Sequence, residues 1–221
     1  DGHYLTHAVE QVDVADEKLV QSFLPPYKYP LKLDPENPVS LGVYANPTHY
    51  QIFREDLMKD MDTAKELLIE AGQKWGKLTG REYGLMNEYM VKDADRVLVG
   101  LGSVMDNVIT IVNELRAKGE KVGALHLRVF RPFPREELNK ALAGKKVGVI
   151  DRDISIGAQA PLYVEINEAL NNTNSQVSSF FGGLGGRGIK RDHIRGMFEK
   201  LKNGPVKEWV ATEAPKAAMS G

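Results

Sequence analysis

From Asp95 to Leu201 short apolar runs alternate with stretches of helical spacing, and this alternation constrains the fold more than any other feature of the chain. Arg96-Val-Leu-Val-Gly100, Lys121 to Phe130, Lys146-Val-Gly-Val-Ile150 and Val177 to Phe181 are rich in β-branched and aliphatic residues, the mark of buried strands. Val104 to Lys118, Glu136 to Leu142 and Leu162 to Leu170 separate them, and Asp192 to Leu201 closes the series; all four carry the helical period. A helix between consecutive strands implies right-handed crossovers and a parallel sheet covered on both faces. The prediction is therefore an α/β fold, a mostly parallel open sheet with helices on both faces. Ser103 is expected to cap the first of these helices, and Gly119 to end it.

Upstream the pattern differs. Six of the 11 prolines fall between Pro25 and Pro47. Each lacks a backbone donor and restricts its predecessor, so the stretch reads as an extended connector. Its apolar members, Phe23, Tyr27, Tyr29, Leu31, Leu33, Leu41 and Tyr44, predict a segment packed down on a surface. A long helix follows, with Thr48 and Gln51 spaced as a capping box. Phe53, Leu57, Met61, Ala64, Leu68, Ala71 and Trp75 form one apolar stripe, which predicts a core-packed amphipathic helix. The plan is thus a connector over 25–47, a domain over 48–204 and a polar, Ala-rich extension over 205–221. Residues 1–24, opening on Asp1-Gly-His-Tyr-Leu, read as the end of a larger domain.

Composition excludes several classes. With 29 Lys+Arg against 30 Asp+Glu, the formal net charge of −1 offers no global attraction to nucleic acid or an anionic membrane. No run approaches the roughly 18 apolar residues of a membrane helix. Without cysteine the chain supplies no disulfide, cluster thiolate or cysteine nucleophile, and a cytoplasmic setting is the expectation. His3, His7, His49, His126 and His193 form no metal-spaced motif, and no Gly-x-Ser-x-Gly elbow occurs. No residue is assigned a catalytic or metal-binding role.

In open parallel sheets ligands and partners meet the loops beyond the carboxyl ends of the strands. Those loops read Gly102-Ser103, Arg128 to Pro134, Asp151 to Gly157 and Gly182 to Gly188. The last fits two accounts: backbone amides and Arg187 cradling an anion, or a turn that needs positive φ. Asp151 and Asp153 read as a hydrogen-bonded loop rather than an acid–base pair. Arg128 and Arg131 bracket Phe130 on a proline-stiffened loop suited to carboxylate pairing at a subunit contact. The candidate anion-binding or interface residues are Arg128, Arg131, Arg152, Gly183, Gly185, Gly186 and Arg187.

Together the Phe130-Arg-Pro-Phe-Pro134, Asp151-Arg-Asp-Ile-Ser155 and Gly183-Leu-Gly-Gly-Arg187 loops resemble those of the alpha-type subunit of pyruvate:ferredoxin oxidoreductase. Asp1-Gly-His-Tyr-Leu-Thr-His7, Phe23-Leu-Pro-Pro26 and Lys77 to Gly84 extend the likeness through nearly the whole chain. The resemblance implies part of a 2-oxoacid:ferredoxin oxidoreductase that uses thiamine diphosphate, Mg²⁺, CoA and 4Fe-4S clusters. It implies that residues 1–24 end a pyrimidine-binding domain and that 48–204 form a transketolase C-terminal-like domain, with no cofactor held by this segment. Implied partners are a pyrophosphate-binding thiamine subunit, a gamma-type subunit and a ferredoxin-like subunit, with ferredoxin met indirectly. The substrate stays open among pyruvate, 2-oxoglutarate, branched 2-oxoacids and oxalate. A second reading is a small-anion-binding or regulatory module of another thiamine enzyme, such as a transketolase or a 2-oxoacid dehydrogenase E1 component. Gly188 stands where the family usually has Asp, and Ala158-Gln-Ala160 where it is richer in glycine.

Overall fold

The computed structural model describes residue 9 and residues 11–29, 31–42 and 44–212. The segment 1–8, His3 and His7 included, and the end of the extension, 213–221, lie outside the described residues. The described residues divide into two compact units, one over 9–84 and one from Leu85 onward.

In the first unit, α1 (Glu17–Phe23) is capped by Asp16, whose carboxylate accepts from the Lys18 amide at 2.9 Å. Helix α2 spans Pro47–Thr79. Its cap is Asn46, which accepts from the Thr48 amide at 3.2 Å, and not the expected Thr48–Gln51 box. Pro47 takes the first helical position, where a missing N–H costs nothing. The helix ends at Gly80, φ 73°. Phe23 meets Trp75 edge-on, with ring centroids 5.2 Å apart.

The expected core packing of α2 is not what the structure shows. Phe53 is 48% exposed, Leu57 47% and Leu68 40%, and Gly72 alone among its described residues is buried. Nor is the connector packed down, because Tyr27, Leu33 and Tyr44 are largely exposed. Helical periodicity states which side of a helix wants cover; it does not supply the cover.

The second unit carries a sheet in the order β1-β3-β2-β4-β5-β6. The strands are β1 (Met86–Tyr89), β2 (Arg96–Gly100), β3 (Val122–Leu127), β4 (Lys146–Asp151), β5 (Gln176–Phe181) and β6 (Lys207–Trp209). All neighbours pair in parallel except β1 with β3, so the expected open sheet gains an antiparallel edge. Four helices cover it: α3 (Val104–Arg116), α4 (Arg135–Leu142), α5 (Pro161–Ala169) and α6 (Arg191–Lys200). Strand alternation divides the interior into two cores. Val97, Val99, Val147 and Val149 meet Leu138, Leu142, Leu162 and Ile166 of α4 and α5. Leu98, Ala124, Ile150 and Phe180 meet Val108, Ile111, Met197 and Phe198 of α3 and α6.

Strand β6 falls where a polar extension was expected. Its Trp209 packs edge-on against Phe181 at 4.5 Å, and the Val210 amide donates to the Phe181 carbonyl at 3.0 Å. Only three residues long, it is too short for its own period to register. At the amino ends of the strands, arginines bind the layers together. Arg96 donates to the Phe198 carbonyl at 2.8 Å and to Glu120 at 2.6 Å. Arg116 donates to the Val122 and Met90 carbonyls at 2.7 Å each and to Asp93.

Candidate functional site at the carboxyl ends of the strands

Neighbouring strands β2 and β4 send their chains in opposite directions. After β2 the chain enters α3 and moves toward β3; after β4 it enters α5 on the other face and moves toward β5. Loops that diverge in this way leave a crevice between the strand ends. Leu101, Gly102 and Ser103 border it from β2, and Arg152 from β4.

Two cavities open there with Arg152 in the wall of both. One, of about 430 Å³, is lined by Leu101, Gly102, Arg152 and Gly183 to Gly186. The other, of about 290 Å³, is lined by Ser103, Val104, Asp106, Asn107, Arg152, Gly188 and Ile189. Gly183 has φ 79°, Gly185 62° and Gly186 82°, values that side-chain-bearing residues adopt at a cost. A Cβ on Gly183 would stand 3.1 Å from Arg152 Nε, so the missing side chain lets the guanidinium group lie against the backbone.

The structure brings together four of the seven residues singled out from sequence: Arg152, Gly183, Gly185 and Gly186. Arg131 lies elsewhere. Its guanidinium pairs with Glu165 and sits over the Phe130 ring, 4.2 Å from the centroid. Arg131 thus has an acidic partner within the same unit, Glu165 on α5, and its side chain stays about half exposed. Arg187 donates to the Ala211 carbonyl at 2.9 Å and, with Lys190 and His193, borders a cavity of about 530 Å³ on the same glycine loop, of which Leu184, Gly185 and Gly186 also line the larger Arg152 cavity. Arg128, at the end of β3, lines neither Arg152 cavity, and its charge acts on His126. Burial first, then Arg128, holds that imidazole below its ordinary pKa, against the opposing pull of Asp106.

Asp151 is buried, and its carboxylate accepts from the Tyr163 amide at 2.9 Å and the Leu162 amide at 3.4 Å. It therefore caps α5, where Ala160 has no side chain to do so and Pro161 no amide to need it. Burial raises its pKa to about 6, with the two amides opposing. Ser103, expected to cap α3, stands at the N-cap position without a side-chain capping bond to that helix. Sequence reasoning missed Asp106, Asn107 and Ile189. Asp106 was legible only as an acid in a first helical turn, since nothing local says that Arg152 and Gly188 will face it. Among the described residues no group of three or more His, Cys, Asp or Glu is placed to hold a metal ion, and the chain has no cysteine for a cluster. No step through a metal or cluster is assigned to it.

Fold and site define a doubly wound α/β domain whose crevice lies at the switch point of its sheet. Residues 94–194 match the model of pyruvate:ferredoxin oxidoreductase core domain II, and along most of its length the chain is similar to subunits of 2-oxoacid:ferredoxin oxidoreductases. The pyruvate synthase subunit PorA of Methanothermobacter thermautotrophicus is 39% identical over 204 residues, which are 92% of this chain and 53% of that protein. PorA of Thermotoga maritima is also 39% identical, over 209 residues with the same coverage. The ketoisovalerate oxidoreductase subunit VorA of Pyrococcus abyssi is 38% identical over 203 residues, 90% of this chain and 51% of the relative. The chain thus spans about half the length of the curated relatives it matches. Its fold also matches a solved 2-oxoglutarate:ferredoxin oxidoreductase from Magnetococcus marinus, at TM-score 0.50 and 18% identity over 72% of this chain and 24% of that one.

Proposed function

We propose that this chain serves within a 2-oxoacid:ferredoxin oxidoreductase, an enzyme that converts a 2-oxoacid and CoA to acyl-CoA and CO₂ while reducing ferredoxin. Thiamine diphosphate, Mg²⁺, CoA and 4Fe-4S clusters act in the full complex and are held outside this segment. The chain's own part is structural, as a transketolase C-terminal-like domain over 48–204 that shapes subunit contacts. The pyrophosphate-binding thiamine subunit and the gamma-type and ferredoxin-like subunits are its partners, in the cytoplasm. Residues 1–24 close a pyrimidine-binding domain, and the proline-rich stretch connects the two.

The observation that carries this reading is the 39% identity to PorA along 92% of the chain. PorA and VorA match almost equally, so pyruvate and branched 2-oxoacids lead the substrate classes. The exposed apolar stripe of α2, with Phe53, Leu57 and Leu68, adds support for an interface role. Among the described residues no helix is long and apolar enough to cross a membrane.

The test is reconstitution. Alone, the chain should neither bind thiamine diphosphate nor reduce ferredoxin with any 2-oxoacid. Supplied within the complete subunit set, it should support acyl-CoA formation. Turnover by the isolated chain would overturn the structural role, and failure to join the other subunits would overturn the assignment.

A further inference from the structure

We propose that Asn203 is a site of spontaneous deamidation, and that the isoaspartate formed there loosens β6 from the sheet. The inference goes beyond the oxidoreductase reading and does not depend on it.

Sequence and exposure single out the position. Asn203-Gly204 is the one asparagine–glycine pair in the chain. Glycine puts no Cβ in the way when its amide nitrogen approaches the preceding side chain. Asn203 is exposed and ends the single 3₁₀ turn Leu201–Asn203. Among the described residues none accepts a capping bond from the Gly204 amide. Other asparagines are held back. Pro38 and Pro47 follow Asn37 and Asn46 and carry no N–H. Asn107, Asn113, Asn139 and Asn167 lie inside helices, where the next amide is engaged in the helical ladder. Ser175, which follows Asn174, donates its amide to Thr173 Oγ1 at 3.2 Å.

The reaction needs only base and water. The Gly204 nitrogen attacks Asn203 Cγ; the N–Cγ bond forms, the Cγ–Nδ2 bond breaks, and Nδ2 leaves as ammonia with the proton that the Gly204 amide gives up. Water then opens the cyclic imide. Cleavage at Cγ gives aspartate in an unchanged main chain. Cleavage at the main-chain carbonyl carbon gives isoaspartate, whose main chain runs through Cβ and gains a carbon.

That carbon falls between fixed points. Leu201 is buried in the core shared by α3 and α6, and the Lys202 carbonyl accepts from Lys146 Nζ at 2.8 Å. Beyond the pair, Pro205 has its φ locked by the ring. The Val206 amide donates to Ser178 Oγ at 3.1 Å, and the Val206 carbonyl accepts from the Ser179 amide at 2.8 Å. A longer link displaces Val206 from both serines, so β6, an edge strand of three residues, opens from that end.

The experiment ages the 221-residue chain in mildly alkaline buffer, beside a synthetic peptide of residues 200–207, and reads peptide masses and amide hydrogen exchange. The peptide that holds Asn203 should shift by the mass difference between an amide and a carboxyl, before any other asparagine converts and faster as pH rises. In the converted fraction the Val206 and Ser179 amides should lose protection, while those of β2 keep theirs. Asn203→Gln should hold both its mass and its protection through the same incubation. Asn203→Glu, which adds the charge without the longer main chain, should stay protected as well. Survival of Asn203 while the synthetic peptide converts would overturn the proposal. So would earlier conversion of another asparagine, unchanged exchange at Val206 and Ser179 after conversion, or lost protection in Asn203→Glu.

Discussion

A single buried carboxylate gives the second unit a pH dependence of its own. Asp151 holds the amides of Leu162 and Tyr163, yet burial raises its pKa from 3.8 to about 6. The folded state therefore binds the proton more tightly than the unfolded chain. The contribution is fully present below the unfolded pKa and is lost as pH rises through about 6. A shift of this size corresponds to about 3 kcal/mol in all, of which about 1 kcal/mol falls between about pH 5 and about pH 7. Asp151→Asn should flatten the urea-unfolding free energy over that interval by about 1 kcal/mol relative to wild type. An unchanged slope would mean that the side chain titrates normally. The sequence showed Asp151 as a loop acid. Its capping role was hidden because Leu162 and Tyr163 come within reach only when α5 docks beside β4.

At the scale of elements, the central strand β4 tests how tightly the layers meet. A Cβ on Gly148 would lie 2.6 Å from Leu98 Cδ2 and 2.9 Å from Phe180 Cε2, both on fully buried side chains that would have to shift. Gly148→Ala should cost roughly 1–3 kcal/mol through overpacking, read as a lower denaturation midpoint. An unaltered midpoint would show that this layer is loosely packed. The strand was legible from Lys146-Val-Gly-Val-Ile150, and so were the four helices of this unit, because apolar periodicity is written locally. Helix α2 shows the limit of that signal. Its stripe was read correctly as helical spacing and wrongly as core, since burial depends on a second surface that periodicity does not describe.

For the whole molecule, the division at Gly84 and Leu85 carries its own expectation. Both apolar cores lie after Leu85, on the two faces of one sheet. A fragment of residues 85–212 should fold alone and unfold in a single cooperative transition, with stability of roughly 5–15 kcal/mol. A fragment lacking sharp amide dispersion, or melting without cooperativity, would show that the unit needs the rest of the chain.

Local patterning alone determined the α/β class and the order of four of the six strands and of the four helices that cover them, and it marked the four loops at the carboxyl ends. The tertiary structure decided which of those loops meet. Strand order places the end of β2 beside the end of β4, so Gly102 and Ser103 face Arg152 across a crevice with the Gly183 loop closing one side. The same order leaves Arg131 beside Glu165 on α5 and turns Arg187 toward Ala211. Four arginines that looked equivalent in sequence thus acquire different surroundings. The reason is physical: spacing encodes which face of an element is buried, whereas the neighbour it is buried against follows from crossovers between residues far apart in the chain.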